Sequence, residues 1–145
     1  MKRAISLGVL IAILALSPPV LAGPIHATLY KNPHCTCCER YVAYLRQNGF
    51  EVDVKDTNDL EGITLKAGVP EQLEGCHTMF VDGYVVVGHV AADVVQKVLT
   101  ERPAIIGIAI PGMPTGVPGM EGPKAGSIAV YAMSKDSAPT VYAVQ

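Results

Sequence analysis

Residues 25–31 alternate, with Ile25, Ala27 and Leu29 on one side, which predicts a strand with one buried face. Asn32-Pro33-His34 breaks the pattern. Thr36-Cys37-Cys38-Glu39 has the Thr-x-x-Glu spacing of a capping box, in which both side chains satisfy free N–H groups at a helix start. The helix then runs to about Asn48, with Val42 and Leu45 on one face and Gly49 as its stop. Phe50, Val52 and Val54 alternate with charges as a second strand. Residues 58–67 read as a short helix ended by Gly68 and Pro70. His77 to Val81 and Tyr84 to Val87 are strands joined by the two-residue turn Asp82-Gly83. Ala91 to Glu101 is a helix, stopped by Pro103. The order is β-α-β-(α)-β-β-α. Beyond it come the apolar run Ile105 to Ile110, a loop rich in Gly, Pro and Met, and two stretches, Ser127 to Met133 and Thr140 to Val144. These two predict a hairpin that pairs with the sheet or packs on it.

The N-terminus carries a different signal. Lys2 and Arg3 precede an apolar run from Ala4 to Leu16, then Ser17-Pro18-Pro19 and the small-residue site Val20-Leu21-Ala22. That is the layout of a cleaved secretory leader, and the run falls short of the roughly 20 residues a membrane span needs. No cysteine follows the cut, so no lipid anchor and no stable membrane anchor are expected. Residues 1–22 are therefore read as a leader removed on export to the periplasm. Residues 23–145 are read as a single domain, with 104–145 as its C-terminal extension. Loss of Lys2 and Arg3 leaves nine basic against thirteen acidic residues, a net charge of about −4. Such a surface has no electrostatic footprint for nucleic acid.

All four cysteines, Cys35, Cys37, Cys38 and Cys76, lie after the leader. In an oxidising compartment an even number usually means structural disulfides. Here three crowd into four positions, which favours a thiolate site. A c-type haem needs a His directly after the motif, and Glu39 stands there. Cys35 and Cys38 form a C-x-x-C at the end of the first strand, opening the first helix. With the element order, this predicts an α/β, thioredoxin-like fold: a central mixed sheet flanked by helices. In that plan the turn entering the third strand passes beside the C-x-x-C, and Cys76-His77 occupies it. The loop to the last helix reaches the same end and carries His89. A helix N-terminus favours thiolate, and thiolates are soft ligands that select Cu(I) or zinc.

Met113 and Met120 sit in near-repeated Pro-Gly-Met settings. Each can fill a core gap, or offer a thioether to Cu(I). The last helix spans about 16 Å and seven extended residues cover about 23 Å, so this loop can return to the cysteine end. His34 could tune Cys35 or bind metal, and His26 reads as structural or exposed. Tyr30, Tyr41, Tyr44 and Tyr84 read as half-buried framework.

Lys31-Asn32-Pro33-His34-Cys35-Thr36-Cys37-Cys38, Gly75-Cys76-His77-Thr78, Val81-Asp82-Gly83-Tyr84, Gly88-His89-Val90 and the Pro-Gly-Met loop together resemble the CopG-type periplasmic copper-resistance proteins over about residues 25 to 122. The family's usual C-G-C-C is C-T-C-C here. The chain lacks the Trp that relatives often carry after the cysteines, a place Tyr41 can take. The resemblance implies a thioredoxin-like fold and a role in handling copper.

The expected function is copper binding for resistance or homeostasis, with Cu(I), as one ion or several, held by Cys35, Cys37, Cys38, Cys76, His77, His89, Met113 and Met120. Redox interconversion is compatible with it. Expected partners are copper ions and other periplasmic copper-handling proteins. Two alternatives stand beside it: a thiol–disulfide oxidoreductase using Cys35 and Cys38, and a zinc–thiolate protein.

Overall fold

Strand β1 (Ile25–Lys31) pairs in parallel with β2 (Phe50–Asp56) and antiparallel with β3 (His77–Val81). The structure, a computed structural model, describes residues 23–124 and 126–145, so the expected leader lies outside the described residues. Helix α1 (Thr36–Gln47) connects β1 to β2, and α2 (Leu60–Lys66) with a 3-10 turn at Glu71–Leu73 leads into β3. The hairpin from β3 to β4 (Tyr84–Val87) turns at Asp82 and Gly83, both at positive φ as this two-residue turn requires. Helix α3 (Ala92–Glu101) ends at Arg102 in the left-handed region, and Arg102 pairs with Asp82.

The remaining strands extend the same sheet. β5 (Gly107–Ala109) lies parallel to β4, and β6 (Ala129–Met133) and β7 (Thr140–Val144) follow antiparallel. The result is one seven-stranded mixed sheet in the order β2-β1-β3-β4-β5-β6-β7. The expected C-terminal hairpin is thus part of the sheet, and β5 joins it to the rest. The sequence left β5 unread because Ile105 to Ile110 is uniformly apolar and a strand of three residues shows no alternation.

One face of the sheet carries the main core, and the other is covered around β4 to β6 but open at β1 and β2, where His26, Glu51 and Asp53 are exposed. Tyr41, Val42 and Leu45 of α1 and Val94, Val95 and Val98 of α3 pack with Leu29, Met79, Val86 and Ile108 on one side. Val69 and Leu73 pack with Val85, Val87 and Met133 on the other. Each fully buried aliphatic side chain contributes about 1.5–3 kcal/mol. Among the described residues no helix is long and apolar enough to cross a membrane.

The capping box does not form. Helix α1 begins one residue earlier, with Cys35 as its cap and no side chain bonded to the free N–H groups. The Cys35 N–H donates to the Asn32 carbonyl at 3.0 Å, a turn that sets this register. Glu39 reaches back to Lys31 instead, at 3.6 Å.

Candidate metal centre

The turn between β1 and α1 carries Cys35, Cys37 and Cys38. Cys35 and Cys38 are joined by a disulfide, and Cys37 and Cys76 are free thiols. The Cys37 Sγ lies 3.4 Å from that of Cys35, which leaves Cys37 as the only possible donor of the two. The first turn of α1, which carries these sulfurs, has no side-chain cap on its backbone N–H groups.

Cys76 arrives from the other side of the sheet order. β3 pairs with β1 so that His77 stands opposite Lys31. Cys76, one residue before, therefore falls beside the cysteine turn. Its carbonyl oxygen is 3.3 Å from the Cys38 Sγ, a close contact because a disulfide sulfur has no proton to donate. The sulfurs of Cys35, Cys37, Cys38 and Cys76 all lie within 4.8 Å of one another. A second set, sharing two of these residues, consists of Cys38, Cys76, His77 and His89 within the same 4.8 Å.

The two histidines are buried and differently held. The Nδ1 of His89 is 2.6 Å from the Pro118 carbonyl, and its Nε2 is 3.1 Å from the Cys76 Sγ. A carbonyl only accepts, so Nδ1 carries the proton and the Nε2 lone pair faces the sulfur. His77 places Nδ1 3.6 Å from the same sulfur, while its Nε2 is buried with no hydrogen-bond partner among the described residues. Tyr41 packs against both rings, with centroids 4.8 Å from His77 and 4.9 Å from His89. Its hydroxyl donates to the Val90 carbonyl at 2.7 Å.

Burial dominates the electrostatics. It pushes the Cys76 thiol up to about 12, with Cys37 adding to the effect. It pushes His77 down to about 3, helped by the neighbouring His89. His89 is also lowered by burial, against the pull of the Pro118 carbonyl. Both imidazoles are therefore neutral near pH 7 and keep a lone pair. The donor set is soft sulfur plus neutral imidazole, which suits Cu(I) or zinc far better than a hard cation. His77 offers the cluster its Nδ1, the ring nitrogen that approaches the Cys76 sulfur.

The Gly/Pro/Met loop returns to this end. Arg40 Nε donates to the Gly119 carbonyl at 2.9 Å. A Cβ at Gly119 would lie 2.7 Å from the Tyr41 amide nitrogen, so only glycine lets the loop lie against α1. The two methionines part company here. Met113 is 58% exposed and lines an open hollow with Cys76. Met120 packs against the main core. His34 is exposed, and His26 pairs at the surface with Glu51, away from the cluster.

Two features went unread in the sequence. Tyr41 is fully buried against both histidines, where a half-buried framework role was expected. Lys31, at the end of β1, is buried and paired with Asp56 at 2.9 Å. Its Nζ lies 3.4 Å and 3.5 Å from the carbonyls of Asn32 and Pro33, beneath the turn that carries Cys35. The visible signal was a lysine on the inward-facing parity of an alternating strand.

Comparison with known proteins gives consistent findings. A family model described as a protein of unknown function, DUF411, matches residues 73–120. Two solved structures, of copper resistance protein copG in forms 1 and 2, each superpose with a TM-score of 0.78 at 34% identity, covering 84% of this chain and 98% of theirs. Comparison with curated proteins finds no match.

Proposed function

The chain belongs to the CopG copper resistance family, and from that premise we propose that it binds copper as cargo, holding Cu(I) through clustered thiolates in the periplasm. The observation that carries this reading is the convergence of Cys76 with the three cysteines of the α1 turn, with His77 and His89 behind it. Soft sulfur ligands favour Cu(I). Four thiolates in one cluster also offer bridging positions for more than one ion. Cys35, Cys37, Cys38, Cys76, His77 and His89 are the proposed ligands. Residues 23–145 act as one domain of thioredoxin-like plan after removal of the leader.

The Cys35–Cys38 disulfide supports a redox element in this function. Reducing it takes two electrons and frees two thiolates, so copper capacity follows the thiol state of the protein. The same disulfide, spanning a C-x-x-C at a helix start, favours a second reading as a thiol–disulfide oxidoreductase.

Competition tests the first reading. Reduced protein loaded with Cu(I) keeps its copper against equimolar zinc and yields it only to a strong Cu(I) chelator. Displacement of copper by equimolar zinc would replace copper with zinc as the cargo.

A further inference from the structure

The proposed copper cluster is mostly closed. Cys38 and His77 are fully buried, and His89 is nearly so. Cys76 is only partly buried, and it meets solvent through the hollow it shares with Glu74, Gly75, Gly112 and Met113. That hollow measures about 330 Å³, ample for an ion with its carrier ligands. Two features make it more than a dent. Met113 holds a thioether at its rim, exposed where a large apolar side chain gains nothing from packing. Glu74, on its wall, has a buried Oε1 with no hydrogen-bond partner among the described residues.

We propose that the hollow formed by Glu74, Cys76 and Met113 is the port through which Cu(I) enters the cluster. Met113 takes the ion from its carrier by thioether exchange. Glu74 draws the cation in by its charge. Cys76, facing both the hollow and the buried histidines, receives the ion and passes it inward. Each exchange swaps one ligand for another on the same Cu(I), with no change of oxidation state. A thioether is a weak enough ligand to release the ion again, which a thiolate at the rim would not be. The inference rests on the copper reading and deepens it. It separates Met113, a transient ligand, from the residues that hold the ion at rest.

The test is the rate of Cu(I) transfer from a coloured Cu(I)–chelator complex to the reduced protein, followed by stopped-flow absorbance. Met113→Leu keeps the volume and removes the sulfur. It slows uptake about ten-fold, about 1.4 kcal/mol in barrier, and leaves final copper content unchanged. Glu74→Gln slows uptake less and flattens its dependence on ionic strength. Wild-type rates in both variants overturn the port, and so does a loss of final copper content in Met113→Leu, which makes Met113 a resident ligand. A wild-type protein that takes up no copper at all overturns the functional reading, and the port with it. A metal-free arm tests the geometry alone. With the Cys35–Cys38 disulfide formed, Met113→Trp plugs the hollow and shields Cys76 from a thiol-alkylating probe, while Cys37 still reacts. Undiminished labelling of Cys76 places its access elsewhere and overturns the port.

Discussion

The Nε2 of His89 lies 3.1 Å from the Sγ of Cys76. The contact depends on the far side of the same ring, where Nδ1 donates to the Pro118 carbonyl. Pro118 belongs to the Gly/Pro/Met loop, so that loop sets the tautomer that aims the His89 lone pair at the sulfur. Metal-binding histidines commonly have their second nitrogen fixed in this way, and disturbing that bond typically costs 10–100-fold in metal affinity.

His89→Gln removes the ligand itself and lowers Cu(I) affinity by more than the roughly 10–100-fold that losing the outer bond alone would cost, while the fold is retained, read by chelator competition alongside far-UV circular dichroism. An unchanged affinity would leave His89 as a packing residue only.

Cys76→Ser is the sharpest test of the cluster, because only the β1–β3 register brings residue 76 to the α1 turn. It lowers copper stoichiometry below that of the wild-type protein, measured by metal analysis after gel filtration under reducing conditions. Equal stoichiometry would confine the site to the three cysteines of one turn.

How much of this was legible follows from the kind of signal each part carries. Strands β1 to β4 and the three helices announce themselves by alternation, a two-residue turn, and Gly or Pro stops. The approach of Cys76 to Cys38 was legible once the element order was read, because the order dictates which turn faces which. The start of α1 was misread by one residue. Thr36 and Glu39 have capping-box spacing, but the turn at Asn32 makes Cys35 the cap, and Lys31 draws Glu39 away. The burial of Tyr41 against two histidines is a tertiary fact with no local pattern behind it. The divergence of Met113 and Met120 was equally hidden, since both sit in the same Pro-Gly-Met setting.

His77 makes the metal-free protein sensitive to acid. Its pKa falls from 6.5 unfolded to about 3 folded. Between those values the unfolded chain binds a proton that the folded chain refuses, so stability falls as pH drops through this window. The loss from this group reaches about 2 kcal/mol by pH 5. Urea unfolding at pH 7.5 and pH 5 measures it, and His77→Phe removes the share of His77 while that of His89, also lowered by burial, remains. An equal pH dependence in that variant would assign the effect to other groups.

Gly119 lets the loop touch α1. It sits at a φ of +81°, and a Cβ there would lie 3.0 Å from the Cys37 carbonyl and closer still to the Tyr41 amide. Gly119→Ala forces the loop outward and weakens the Arg40 and His89 bonds to it. The expected cost is about 1–3 kcal/mol, with a matching loss of copper affinity. A variant with wild-type stability and affinity would show that the loop does not need this contact.

The methionines separate a copper carrier from a thiol–disulfide enzyme. Both readings need Cys35 and Cys38, so replacing those cysteines decides nothing. Exchange chemistry depends on thiolate nucleophilicity and leaving-group pKa, and a thioether has no part in it. Met120 packs against the core, and a similar-volume change there is tolerated. Met120→Leu is therefore neutral for copper tolerance in a strain that depends on this protein. Met113→Leu removes the exposed sulfur beside Cys76 and lowers that tolerance. Neither variant changes the reduction of a test disulfide by metal-free protein. Full tolerance in Met113→Leu would reduce the loop to a packing element. Strong reductase activity in the metal-free wild-type protein, abolished by added copper, would make the enzyme reading the better account of the cluster.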